Sequence, residues 1–157
     1  MGNRAVITAS KAYNVAGSSD IGVYLHYNGG RDSVEAFLTY CKLRGFRTPT
    51  SDNYGWAYLC TVIGNFFGDG LSLGIDKCSS LDCRNGDNGV YVIEGWEIKK
   101  RLYHEGRPEQ RKHDLVEMVV AIDEAQPVRV QLGERKIKEL LLGPGWEEKE
   151  AQQDETD

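Results

Sequence analysis

Residues 21–41 read IGVYLHYNGGRDSVEAFLTYC and change period in the middle. From Ile21 to Tyr27 the chain is β-branched and aromatic, and Ile21, Val23, Leu25 and Tyr27 alternate with Tyr24 and His26, the period of a strand. From Asp32 onward the period is helical, with Val34, Phe37, Leu38 and Cys41 at i, i+3, i+4 and i+7. Asp32 and Glu35 have capping-box spacing, and Gly45 stands where a helix C-terminus takes a left-handed residue. The segment predicts a strand, a tight turn through Gly29 and Gly30, and an amphipathic helix.

Working outward, Asn3 to Ala9 is a second β-rich run, joined to the first by the polar connection Ser10 to Asp20. A second helix is predicted over Tyr54 to Phe67, with Trp56, Leu59, Cys60, Ile63 and Phe67 on one stripe and Gly68-Asp69-Gly70 ending it. Leu71 to Asp76 reads as a short strand. Val90 to Ile93 and Trp96 to Leu102 read as a hairpin turning at Glu94-Gly95. A third helix opens on a capping box, Asp114 to Glu117, buries Leu115, Met118, Val119 and Ile122, and stops before Pro127. Glu134 to Leu142 is a fourth, amphipathic segment. Together these elements predict an α+β domain over residues 1–145, a mostly antiparallel sheet of about five strands with three to four helices, followed by an acidic disordered tail over 146–157.

The chain has 157 residues, 40% hydrophobic and 27% charged, the size and composition of a single globular core. Nineteen basic against 24 acidic residues give a net charge of −5, which argues against non-specific nucleic-acid binding. No apolar run is long enough to span a bilayer, and Met1 to Thr8 is too briefly apolar for a secretory signal. A cytoplasmic protein with no membrane partner is expected. The four cysteines read as reduced thiols, with Cys41 and Cys60 on core stripes; the spacing of Cys78 and Cys83 does not suit zinc, and no metal or other cofactor is expected.

The residues that invite chemistry are few. Asn28, Gly29, Gly30, Arg31, Asp32 and Ser33 lie between a strand and a helix N-terminus, where backbone N–H groups and the helix dipole hold anions. The alternative is that the glycines make the turn and Asp32 caps the helix. His26 precedes this loop and is a candidate base for a thiol such as Cys60, but that cysteine sits on an apolar stripe, so no catalytic residue is assigned. The loop Asp82 to Gly89 lacks the carboxylate spacing of a calcium site and reads as turn chemistry. Tyr54 and Trp56, aromatic and close to a helix start, are candidates for a binding surface.

Gly29, Gly30, Asp32 and Ser33 resemble the PP-loop of ATP pyrophosphatases, Ser-Gly-Gly-x-Asp-Ser, with Asn28 in place of the first serine. That resemblance implies a nucleotide held at Asn28 to Ser33, either by an ATP-using enzyme or by a protein sequestering a nucleotide signal, and it implies a doubly wound parallel sheet. The segments VYLHYNGGRDSVEAFLTYC, DNYGWAYLCTVIGNFFGDGLSLGID and DNGVYVIEGWEI resemble a family of small phage and mobile-element proteins of bacteria. This second resemblance, over roughly residues 1–125, implies a non-enzymatic accessory protein that binds and inhibits a host protein or ribonucleoprotein complex, as an anti-CRISPR-type anti-defence inhibitor does.

Overall fold

A computed structural model describes residues 2–49, 53–68 and 72–156, the last three without their side chains. In chain order the elements are β1 (Ala5–Thr8), β2 (Ile21–Leu25), α1 (Arg31–Leu43), α2 (Asn53–Phe67), β3 (Leu73–Lys77), β4 (Val90–Glu94), β5 (Glu97–Leu102), α3 (Leu115–Glu124), α4 (Glu134–Leu142) and α5 (Trp146–Thr156). The five strands form one sheet in the order β3-β2-β1-β4-β5. Neighbours pair antiparallel except β1 and β4, which are parallel, with Val6 opposite Val90 and Thr8 opposite Val92. The fold is α+β with a mixed sheet, and the doubly wound parallel sheet implied by the PP-loop resemblance is absent from the described residues.

Both faces of this sheet are covered, by different means. Ala5, Ile7, Val23, Leu25, Tyr91 and Ile93 project from one face into the main core, where they meet Val34, Phe37, Leu38 and Cys41 of α1, Leu59 and Ile63 of α2, and Val119 and Ile122 of α3. Strand alternation sends Val6, Val90 and Val92 to the other face. There the cover is loop: Val15, Cys78 and Cys83, carried on or beside two short 3-10 turns, Val15–Gly17 and Cys78–Ser80. Such a two-sided sheet explains why β1 and β4 are almost wholly apolar, since their central strands have no solvated face.

Three expectations are corrected. The segment taken as a disordered tail, 146–157, is helical over Trp146–Thr156 and lies against α4: Glu147 pairs with Arg135 at 3.7 Å, Glu150 with Lys138 at 3.3 Å, and the Lys138 ammonium sits 4.9 Å from the Trp146 ring centroid. Composition alone missed these cross-helix pairs. Asp32 does not cap α1; Gly30 occupies the cap position and Asp32 lies inside the first turn. Leu115 is exposed rather than buried, because α3 turns Met118, Val119 and Ile122 inward. The Asp114 cap forms as predicted, its carboxylate accepting the Glu117 N–H at 3.0 Å. Leu71, Asp69 and Gly70 lie outside the described residues.

Candidate functional site

The predicted site residues fall at the two ends of β2. At its carboxyl end, the glycines of the Asn28–Ser33 turn are required by close packing. A Cβ on Gly29 would stand 2.5 Å from the Asn3 carbonyl oxygen, and one on Gly30 would stand 2.8 Å from the Gln110 Cβ. Asn28 itself takes a left-handed φ of 57°. Three of the N–H groups at this turn have partners within the chain: Gly29 donates to Asn3 O at 2.8 Å, Asp32 to Gln110 O at 3.2 Å, and Ser33 to Asp32 Oδ1 at 2.7 Å. The segment 109–113 lies across the turn. Its Lys112 and His113 N–H groups donate to Asp32 Oδ2 at 2.8 and 2.9 Å, while Glu109 pairs with Arg31 at 3.1 Å. A loop folded over the helix N-terminus and a buried carboxylate inside it leave the dipole satisfied by the protein's own groups.

His26 sits beside this turn in a separate recess of about 430 Å³ with Gly2, Arg4 and Asp87. Its Nδ1 shares a 2.9 Å hydrogen bond with the Tyr24 hydroxyl, whose pKa is raised by burial against the opposing pull of Arg4. Burial pushes Asp87 up, but hydrogen bonds from Arg4 outweigh it and hold the carboxyl below its ordinary value. Arg4 Nε donates to Asp87 at 2.7 Å. Cys60 does not line the His26 recess; it packs on the α2 stripe against the core, and burial raises its pKa, as it does for Cys41, Cys78 and Cys83. A buried thiol with a raised pKa carries little thiolate at neutral pH, so the four cysteines are packing residues. Among the described residues no cluster of His, Cys, Asp and Glu has the makings of a metal site.

Tyr54 and Trp56 lie at the opposite end of β2. Trp56 is buried and lines a recess of about 350 Å³ with Ala9, Ser10, Lys11, Asp20, Ile21 and Pro49. The loop 46–49 that closes one side is fixed to the β4–β5 hairpin, since Trp96 Nε1 donates to Phe46 O at 3.0 Å, and to α2, where a Cβ on Gly55 would collide with the Thr48–Pro49 backbone. Tyr58 stacks on Phe46, centroids 4.3 Å apart, and Arg47 lies over the Tyr54 ring. A second recess of about 370 Å³ shares Ser10 and Lys11 with the first and is completed by Val92, Ile93, Glu94, Lys99 and Lys100. The first opens between the carboxyl end of β1 and the amino end of β2, the second at the carboxyl ends of β1 and β4. Ser10, Lys11, Asp20, Lys99 and Lys100 had not been singled out from sequence, although the Lys99-Lys100 pair was visible there. Their common location depends on the parallel β1–β4 pairing, for which the sequence carries no local signal.

None of the family models, curated proteins or solved structures with which the chain was compared matches it.

Proposed function

We propose that the chain is a binding protein, an accessory factor of the phage or mobile-element kind that occupies and inhibits a host macromolecule. The observation that carries this reading is the exposed apolar surface around edge strand β3. Ile75 is 54% exposed and Ile21 is 42% exposed. Val23 faces Ile75 and Lys77 faces Ile21, so the two isoleucines are diagonal neighbours on one face of the sheet. Among the described residues no strand lies beyond β3, leaving one row of its backbone N–H and C=O groups without a strand partner there. At the other edge, β5 reads Glu97-Ile98-Lys99-Lys100-Arg101-Leu102 and is paired across a register shift at Val92/Ile93, features that discourage strand addition. The partner would add an extended segment of a host protein to β3, with its apolar side chains over Ile21 and Ile75.

The test has two parts. Expression in a bacterium carrying an active defence system restores infection by a phage that the system blocks, and affinity capture from that host retains a defence component. Ile75→Lys, placed on an exposed position, abolishes both while leaving the melting temperature unchanged. Undiminished capture by Ile75→Lys overturns the docking surface, and failure to restore infection across such hosts overturns the inhibitor reading. A nucleotide at Asn28 to Ser33 has less support, because three of the donors at that turn, on Gly29, Asp32 and Ser33, already meet the chain's own oxygens.

A further inference from the structure

The parallel pair β1–β4 has a geometric consequence. The chain leaves β1 toward β2 on one side and leaves β4 toward β5 on the other, so their carboxyl ends diverge and a crevice opens between the departing segments. In open α/β sheets such a switch point is where small ligands bind, because two loops separate above the strand ends, and the same divergence occurs at this one parallel pair. The second recess occupies that position, and the first, beside the start of β2, shares Ser10 and Lys11 with it as a common wall. Their volumes, about 350 and 370 Å³, are each within the range of roughly 300–1,000 Å³ of small-molecule sites.

The two halves differ in chemistry. One is walled by Ile21, Pro49 and Trp56 and floored by a polar cluster in which the Ser10 hydroxyl donates to Asp20 Oδ2 at 2.6 Å and contacts the Ser18 hydroxyl at 3.3 Å. Asp20 Oδ1 accepts no hydrogen bond from a described residue. The other half holds three lysines, Lys11, Lys99 and Lys100, against the single carboxylate of Glu94. Lys99 is shared with Glu97 at 3.5 Å, whereas Lys11 and Lys100 form no ion pair among the described residues. The half therefore keeps an excess of positive charge even with Lys99 neutralised, within a chain whose net charge is −5. An apolar and aromatic compartment that carries a carboxylate, beside a lysine compartment, is complementary to a base with its sugar hydroxyl and to a phosphate.

We propose that this crevice binds a nucleoside monophosphate, with its base against Ile21, Pro49 and Trp56, its sugar hydroxyl on Asp20 and its phosphate between Lys11 and Lys100. The site is distinct from Asn28–Ser33 at the other end of β2 and does not rest on the docking reading for β3. AMP, GMP, CMP and UMP are titrated separately into the intact chain at millimolar concentration, followed by heteronuclear NMR, with adenosine and inorganic phosphate as half-ligand controls. At least one nucleotide shifts the amide signals of Ser10, Lys11, Asp20, Lys99 and Lys100, and binds more tightly than adenosine or phosphate alone. Lys11→Gln and Lys100→Gln, both on exposed side chains, each weaken it by about tenfold, the effect of losing one charge-assisted contact. Perturbations confined to the Arg4–His26 recess or to Asn28–Ser33 overturn the assignment. So does the absence of any saturable shift with all four nucleotides, or unchanged affinity in the folded Lys11→Gln/Lys100→Gln double variant.

Discussion

The Asp32 carboxylate is 7% exposed and accepts three backbone N–H groups, from Ser33, Lys112 and His113, with Gln110 Nε2 at 3.4 Å as a weaker fourth contact. An N-cap aspartate holds one helix end. Asp32 instead ties the segment before α3 to the first turn of α1. In Asp32→Asn the amide oxygen keeps the Lys112 and His113 donors only by turning the NH₂ toward the Ser33 N–H, so a buried donor is left unsatisfied at a cost of about 1–3 kcal/mol in urea unfolding. Asp114→Ala, which removes an exposed cap, costs about 1 kcal/mol. The expected order, Asp32→Asn at least as harmful as Asp114→Ala, is the reverse of what a cap role at position 32 would give. A second residue-level prediction concerns alkaline pH. Burial, then the hydrogen bond that Tyr40 donates to Asp123 at 2.7 Å, pushes the Tyr40 phenol up to about 12; burial does the same for Tyr91. The folded state thus keeps protons that the unfolded chain releases near the ordinary value of 10.0. Their contribution is intact below that value and is lost as pH rises through about 12. Melting temperatures fall across this window, and the fall is shallower in Tyr40→Phe.

Among the elements, those specified by local pattern were legible in the sequence. Val34, Phe37, Leu38 and Cys41 placed α1, and all four are buried; the Asp114 cap placed α3, and the amphipathic run Glu134 to Leu142 placed α4. What local pattern does not encode is which elements meet. The α5 helix has almost no apolar face of its own and depends on Arg135 and Lys138 of α4, two charges that composition assigns to solvent. Asp32 misled for the same reason: the partners that satisfy it lie 80 positions away at Lys112 and 81 away at His113. Gly29 carries the clearest element-level prediction. Gly29→Ala drives a methyl into the Asn3 carbonyl and the Ala5 Cβ, forcing β1 away from α1, and costs about 1–3 kcal/mol by chemical denaturation. Gly45→Ala, at φ 72° with nothing within 4 Å, adds no clash and bears only the cost of the left-handed backbone.

Across the whole molecule, the net charge of −5 conceals a separation. Residues 147–157 carry six acidic side chains and one basic one, whereas Lys11, Lys99 and Lys100 share a single crevice. A sequence-wide charge argues correctly against a uniformly basic surface and says nothing about a local one. Deleting 147–157 brings the net charge from −5 to 0, since five net negative charges leave. The paired glutamates are exposed, so stability changes by less than about 1 kcal/mol. Turbidity measured against pH moves its maximum from near the sequence pI of 5.3 toward neutrality. An unchanged maximum would show that the segment's charge is compensated in the folded chain.

The central strand of the sheet is also its first in sequence, and Val6 finds its parallel partner Val90 only 84 positions later. On the ribosome β1 emerges before β4 and of its two neighbours can first zip only to β2, leaving its other edge bare until the hairpin of β4 and β5 has been made. Closing that pairing requires a long loop to be organised first, so assembly is governed by a late, non-local step. A nascent chain halted before Val90 would present Ala5–Thr8 as an open, largely apolar edge, the form of this protein most exposed to aggregation and to capture by chaperones.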